Sequence, residues 1–405
     1  MAIEDDSRTE PPPRFAFFNT MNNIAGIRII NKPTLLYSLY SYFGIIINYC
    51  CIIGQTVDMF QHLDDLDRTI ETTTPLFPMA ACVWIDFYTR LRKKLFRDII
   101  FQADEFTWEE LPTKDKDTGW LTMAGLIPLL RKTCVYFGAF MFTSNAIYFI
   151  YRGASSRDKL GLNSWFPFDT RPSPVHEIIV ALQIYAMVGY TSAFYGFLSM
   201  YATYIAIICC QIEKMQIELG RFRSHGNDEV ENKQTKEEEG LQSVSKKEDD
   251  ESLMNCIDIH CKLLSFMDSL ENLLNPLILG HFILIIGSTC FAAYSAVTNW
   301  SNWESMFLVL IVILCMPVLL ALYCMLGETI TTRVDDLKNS IWFCNWVGAN
   351  KKQQNAVLMM LIMANKGFCL TAGGIAPVSR NTMSVVLNQV MSYTMFLVNF
   401  KELEE

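Results

Sequence analysis

The chain has 405 residues, of which 51% are hydrophobic and only 19% charged, with a formal net charge of −9 and a mean hydropathy of +0.21. This balance lies outside the range of ordinary soluble domains and predicts a polytopic membrane protein with no nucleic-acid partner. Long continuous apolar runs, rather than ten-residue alternating ones, exclude a β-barrel and make the expected class all-α.

The opening, MAIEDDSRTEPPPRF, has no basic stretch followed by an apolar one. The first hydrophobic segment is therefore expected to be retained, with residues 1–33 forming a short polar cytoplasmic arm. A bilayer core of roughly 30 Å needs about 20 apolar residues in a helix. With that ruler seven spans follow in order, at about 34–59, 73–96, 131–152, 175–210, 273–298, 304–327 and 379–400. Asp86 and Arg90, one helical turn apart and therefore able to pair, make the second the least apolar.

Orientation follows from the Lys and Arg between spans. The arm carries four, 90–132 nine, 211–272 eight and 328–378 five, whereas 60–72 carries one, 153–174 three and 299–303 none. Basic residues accumulate on the cytoplasmic side, so the N-terminus is inside and, after seven spans, the tail KELEE is outside. That arrangement is inverted relative to G-protein-coupled receptors. Neither Asp-Arg-Tyr after the third span nor Asn-Pro-x-x-Tyr in the seventh is present.

Within the 211–272 loop, residues 220–252 are nearly free of apolar side chains and are expected to be an unstructured linker, with Ser243 and Ser245 as conceivable modification sites. The thirteen cysteines form no framework, and Cys256, His260 and Cys261 lack a fourth zinc ligand. Asn299-Trp300-Ser301 is a formal glycosylation sequon on the outside. His281 in the fifth span is read as a neutral, hydrogen-bonded packing residue. No catalytic motif accompanies the buried ionisable groups, and no metal or cofactor is implied. No internal repeat of the transporter kind is visible.

Residues 328–378 are expected to be cytoplasmic anchor helices. The first carries Val334, Leu337, Ile341 and Cys344 or Asn345 on one stripe, and the second runs from Lys351 to a stop at Gly373-Gly374. In the last span Asn381, Ser384, Asn388, Ser392, Phe396 and Asn399 recur at steps of three and four and share one helix face. A polar stripe in a bilayer must meet water or a partner helix, and the spacing alone leaves both open.

The C-terminal region resembles the signature of insect odorant receptors. Trp346 ends an aromatic-rich sixth helix, Leu370-Thr371-Ala372-Gly373 follows, and Ser392-Tyr393 lies in the final span. WFPFDTRPSPVHEI, ahead of the fourth span, is similar to that family's aromatic-Pro-Phe-Asp element. The resemblance implies a subunit of a tetrameric, odorant-gated, non-selective cation channel, passing monovalent and divalent cations. The subunit is of the ligand-tuned class, assembling with a coreceptor or with itself in the plasma membrane of a sensory dendrite. The alternative is a seven-helix receptor or transporter without its own pore. By the family pattern Asn388 and Ser392 line the pore, Phe396 or Leu397 forms a hydrophobic gate, and Asn399 forms a polar ring outside it. Glu402, Glu404 and Glu405 would crown the outer mouth with negative charge.

A volatile-ligand pocket is expected in the outward halves of spans two, three, four and six. Its candidate lining is Phe77, Ala80, Ala81 and Trp84, then Phe142, Ala146, Phe149 and Ile150. Gln183, Met187 and Tyr190 come from the fourth span, and Met306, Leu310 and Ile313 from the sixth. Gln183 and Tyr190 would orient a polar group of the ligand, and Met187 would add an adaptable thioether surface.

Overall fold

The computed structural model describes residues 12–64, 66–107, 111–114, 122–155, 160–231, 239–298, 303–344, 346–347 and 349–404. Asn299, and the side chains of Ser243, Ser245, Met306, Leu397, Glu402, Glu404 and Glu405, lie outside the described residues.

The amino-terminal arm is not a polar tail. After a 3-10 turn over Pro13–Phe15, α1 (Ala16–Ile24) lays Phe15 and Phe18 into the interior, and Ala25, Ile27, Ile29 and Ile30 follow them. Phe15 packs on Tyr204 with ring centroids 5.3 Å apart. The expectation of a solvated arm over 1–33 is corrected for 13–30, because its apolar residues face a core that a one-dimensional reading could not supply.

Thr34 caps α2 (Leu35–Gln61) by accepting from the Tyr37 N–H. This helix buries Ile47, Asn48, Cys51, Gly54, Gln55 and Asp58, and turns Leu39, Phe43, Ile46 and Ile53 outward. That inversion of the soluble pattern suits a helix with lipid on one side. Next come α3 (Leu66–Leu91), α4 (Lys93–Asp104) and α5 (Met123–Ser155).

Three long helices complete the bundle: α6 (Val175–Glu231), α7 (Glu239–Thr298) and α8 (Trp303–Phe343). The 57 residues of α6 span roughly 85 Å at 1.5 Å per residue, far more than a bilayer core needs. It is the central post: 94% of its apolar window is buried, against 22% for α2 and 17% for α5. A helix apolar on all sides belongs in the middle of a bundle. Both α6 and α7 extend into 220–252, the stretch expected to be unstructured, leaving 232–238 between them outside the described residues.

Among the described residues, five helical segments are long and apolar enough to cross a membrane: Leu35–Gln61, Met123–Gly153, Val175–Gly220, Leu253–Val297 and Val309–Phe343. The other two expected spans fall on α3 and on α10 (Arg380–Glu404). Both are helical, and in α3 the polarity is consumed internally. Thr72 donates to Asp58 at 3.1 Å, Glu71 accepts from Arg152 at 2.7 Å, and Asp86 receives the Arg90 guanidinium at 2.9 Å. The Asp86–Arg90 pairing is the one the spacing predicts. Arg90 reaches further, to Ser41 Oγ at 2.9 Å and to the Ala25 and Gly26 carbonyls at 3.2 Å, and so ties α2 and α3 to the arm.

Toward its C-terminal end, α8 continues with Val334, Leu337, Ile341 and Cys344 buried along one stripe, as expected. At that end burial pushes the Cys344 thiol up to about 11. The second anchor helix is shorter than its periodicity suggested. Asn350 and Gln353 form a capping box for α9 (Lys351–Ala364), and the chain then turns into a small hairpin, β1 (Thr371–Ala372) against β2 (Ala376–Pro377). Gly373 and Gly374 both sit at φ +67°, as the central residues of a type I′ turn do, and the Ile375 N–H donates to the Ala372 carbonyl at 3.2 Å; the pair therefore lies in a three-residue hairpin loop rather than at a helix stop.

Candidate functional site

The hairpin joins the long helices to α10. Glu271 of α7 accepts from the Thr371 N–H at 3.2 Å and from the Thr371 hydroxyl. Asn275 Nδ2 donates to Thr371 Oγ1 at 3.1 Å, and the Asn275 carbonyl receives the Gly373 N–H at 3.2 Å. Glu328 of α8 accepts from the Arg380 N–H at 2.7 Å, at the first residue of α10. Two helices of the bundle therefore hold the root of the last one through directional bonds.

Along α10 the buried residues are Val386, Val390 and Thr394, with Met383, Leu387 and Val398 half-buried beside them. On the opposite side Asn381, Ser384, Asn388, Ser392 and Asn399 are exposed, and Phe396 is 64% exposed at the edge of the same surface. The polar stripe is therefore turned away from the chain's own bundle. A contact with another helix of the same subunit is not what it makes.

The expected pocket lining separates into three groups. Phe149, Met187 and Tyr190 meet Ile47, Cys51, Met79 and Leu162 in one apolar cluster, with Ala81 and Gln183 buried close by in sequence. Here the two polar tips are already engaged. Gln183 Nε2 donates to the Leu162 carbonyl at 2.9 Å and to Ser164 Oγ at 3.3 Å, while its Oε1 accepts from the Leu162 N–H at 3.0 Å. The Tyr190 hydroxyl donates to the Asn48 carbonyl across α2 and α6. Neither has its main bonding capacity free for a ligand, which corrects the role expected of them.

Phe77 and Trp84 form the second group, on the face of α3 against α7. Phe77 stacks on Phe291 at 5.2 Å, and Trp84 lies over Gly280, where a Cβ would come within 2.4 Å of the indole Nε1. Ala80, Phe142 and Ile313 are half-buried. The third group faces outward. Ala146 is exposed, Ile150 is 72% exposed and Leu310 is 54% exposed. These three are corrected as interior lining, because α5 turns Ser144, Tyr148, Phe149 and Arg152 inward, and α8 turns Val309 and Val312.

Sequence reasoning missed the polar seal over the cluster. Arg152 is 6% exposed in its side chain. It donates to Glu71 Oε1 at 2.7 Å, Asn163 Oδ1 at 2.7 Å and the Leu160 carbonyl at 2.9 Å. The Trp165 N–H adds a bond to the Gly54 carbonyl at 2.9 Å. The available signal was a basic residue at the edge of an apolar run, counted for orientation rather than as a structural centre. His281 is a packing residue but not the hydrogen-bonded one expected of it. The ring is buried between Phe194 and Tyr323, and its Nδ1 has no hydrogen-bond partner.

Comparison with known proteins places this architecture. A family model described as 7tm odorant receptor matches residues 65–391. Odorant receptor 9a of Drosophila melanogaster is 26% identical over 160 residues, a match spanning 40% of this chain and 40% of that relative's length. The insect olfactory receptor OR5 from Machilis hrabei, solved in complex with eugenol, has the same fold. It aligns with TM-score 0.71 over 95% of this chain and 97% of its own, at 13% identity. A second structure of that receptor gives 0.67 over 94% and 96%, at 14% identity. The chain thus belongs to the 7tm odorant receptor family, with an all-α, polytopic membrane fold.

Proposed function

We propose that the chain is a ligand-tuned subunit of an odorant-gated, non-selective cation channel, assembled as a tetramer with a coreceptor or with copies of itself. The observation that carries this reading is the polar stripe of α10, turned away from the subunit's own core. A membrane helix keeps such a face only against water or a partner, and four copies around an axis provide a lumen for it. Asn388 and Ser392 line that lumen, Phe396 or Leu397 narrows it, and Asn399 forms the ring beyond. The site of action is the plasma membrane of a sensory neuron, with small volatile organic molecules as ligands and monovalent and divalent cations as permeants. The OR5 neighbour was solved with eugenol, a ligand of that size class.

Ligand bound among α3, α5, α6 and α8 acts by preferring one arrangement of the bundle over another. The bonds from Glu271, Asn275 and Glu328 pass that preference to the root of α10. Whole-cell recording of the chain, alone and with a coreceptor, tests the reading. Odorant-evoked cation current is expected, and its absence in both settings while G-protein signalling is present would overturn it. Asn399→Asp is expected to raise divalent over monovalent permeability severalfold while leaving the ranking of odorants unchanged. A changed odorant ranking with unchanged reversal potentials would remove Asn399 from the pore.

A further inference from the structure

We infer that the interior between α6, α7 and α8 holds a ligand subsite for an oxygen acceptor, formed by Tyr195, His281 and Tyr323 with the Trp84 indole of α3 beside it. It rests on the receptor reading above for the presence of a ligand, and it names the chemical class that ligand belongs to.

Tyr195 and Tyr323 are each 1% exposed and His281 is 2% exposed. The Tyr195 hydroxyl, the Tyr323 hydroxyl, His281 Nδ1 and Trp84 Nε1 are all buried without a hydrogen-bond partner. Leaving one such group unsatisfied costs about 1–3 kcal/mol, and folded proteins rarely tolerate it without a reason. The Tyr204 hydroxyl further along α6 and Ser288 Oγ on α7 are unpartnered as well, but these four lie in one neighbourhood, beside polar groups that are bonded. The next phenol along α6, Tyr201, donates to the Tyr323 carbonyl at 3.0 Å, Tyr190 donates to the Asn48 carbonyl, and Gln183 makes three bonds.

The groups belong together in space. The His281 ring lies 5.2 Å from that of Tyr323 and 5.3 Å from Phe194, which in turn meets Tyr195 at 5.1 Å. Tyr323 interacts electrostatically with Tyr195, and both with the Cys82 and Cys134 thiols. Trp84 enters from α3 because the residue before His281 is glycine. A Cβ on Gly280 would lie 2.4 Å from Nε1 and 2.7 Å from Cε2.

The donor set fixes the chemistry. An indole N–H only donates, a phenol donates readily, and the imidazole adds a second nitrogen of either sense. Their common complement is an uncharged oxygen with lone pairs and no need of a counter-charge: a ketone, aldehyde or ester carbonyl. Aromatic walls from Phe194, Tyr323 and Trp84 take the apolar body. A hydrocarbon of the same shape leaves every donor as it is now. Water satisfies the groups too, but it confers no preference among ligands.

Matched pairs in which a methylene replaces the carbonyl oxygen separate these cases: acetophenone with α-methylstyrene, and 2-heptanone with 2-methyl-1-heptene. In the full chain co-expressed with a coreceptor, the ketone of a recognised pair is expected to act at about tenfold lower concentration than its alkene, the worth of one net hydrogen bond. Tyr323→Phe and Tyr195→Phe keep the rings and remove one oxygen each. Either is expected to close most of that gap by weakening the ketone alone, at unchanged surface expression. Equal weakening of both members, or none, overturns the subsite in favour of water or packing.

A second measurement does not depend on gating or on the variants. Thermal stabilisation of the purified wild-type chain by each ketone should exceed that by its alkene, and equal or absent stabilisation overturns the inference. If ketones stabilise selectively while no odorant evokes current, the channel reading fails and the subsite stands.

Discussion

Arg152→Met is expected to destabilise the outer half of the bundle by about 3–5 kcal/mol, the usual cost of removing one partner from a buried ion pair. The substitution keeps the apolar stem but strands Glu71, Asn163 and the Leu160 carbonyl, all of which now receive bonds from one guanidinium. Lysine would not substitute, because a single ammonium cannot reproduce three bonds in a fixed fork. The measurement is the thermal transition of purified protein, alongside odorant sensitivity. Glu71→Gln with Arg152→Met should recover part of the loss, since it removes the uncompensated charge. An unchanged transition temperature for Arg152→Met alone would show that the seal contributes little. Loosening it should also blur ligand discrimination, because the 160–165 segment closes the apolar cluster through Gln183 and Phe149. A Cβ on Gly161 would meet the Phe149 ring at 2.4 Å.

Gly373→Val is expected to abolish odorant-evoked current. Its φ of +67° is a conformation that costs an L-residue about 1–2 kcal/mol, and more when the side chain is β-branched. A Cβ there would also lie 2.5 Å from Leu279 Cδ2 and 3.1 Å from Cδ1. The neighbouring glycine is the control. Gly374 has the same φ of +67°, but the nearest atom to its Cβ would be Asn275 Nδ2 at 3.8 Å. Gly374→Asn, a residue that tolerates left-handed backbone, should therefore keep most of the current. Adding Leu279→Ala to Gly373→Ala removes the contact but not the backbone penalty, so recovery should be partial. Full-sized currents from Gly373→Val at normal surface density would mean that the hairpin does not link the bundle to α10. The order of effects, 373 far above 374, is what distinguishes a mechanical joint from a generic turn.

These two positions show where a linear reading succeeds and where it stops. Gly373-Gly374 was legible as a chain break, since glycine pairs punctuate structure. A helix stop and a hairpin loop share that signal, and only the pairing of Thr371 with Pro377 and of Ala372 with Ala376 separates them. Arg152 was legible as a charge near a span end. Its partners come from α3 and from the loop that follows α5, and Glu71 lies 81 residues away in the chain. The same holds for Gln183 and Tyr190. Their polarity within an apolar run is visible in the sequence, but the loop at 162–164 and the Asn48 carbonyl claim it.

By itself the sequence determined the quantities that are local and periodic. Apolar runs of bilayer length fixed the helices, the Lys and Arg bias implied their orientation, and one-turn spacing paired Asp86 with Arg90. Steps of three and four residues put the polar groups of α10 on one face. Tertiary structure decided everything that depends on which side of an apolar helix looks inward. Lipid and protein core are equally apolar, so hydropathy cannot tell Ile150, which faces away, from Phe149, which is 9% exposed. It also decided which buried polar groups are spent and which are spare. Gln183 and Tyr190 are spent while Tyr195, His281 and Tyr323 are spare, and a hydrogen bond between residues distant in the chain leaves no trace in composition or period.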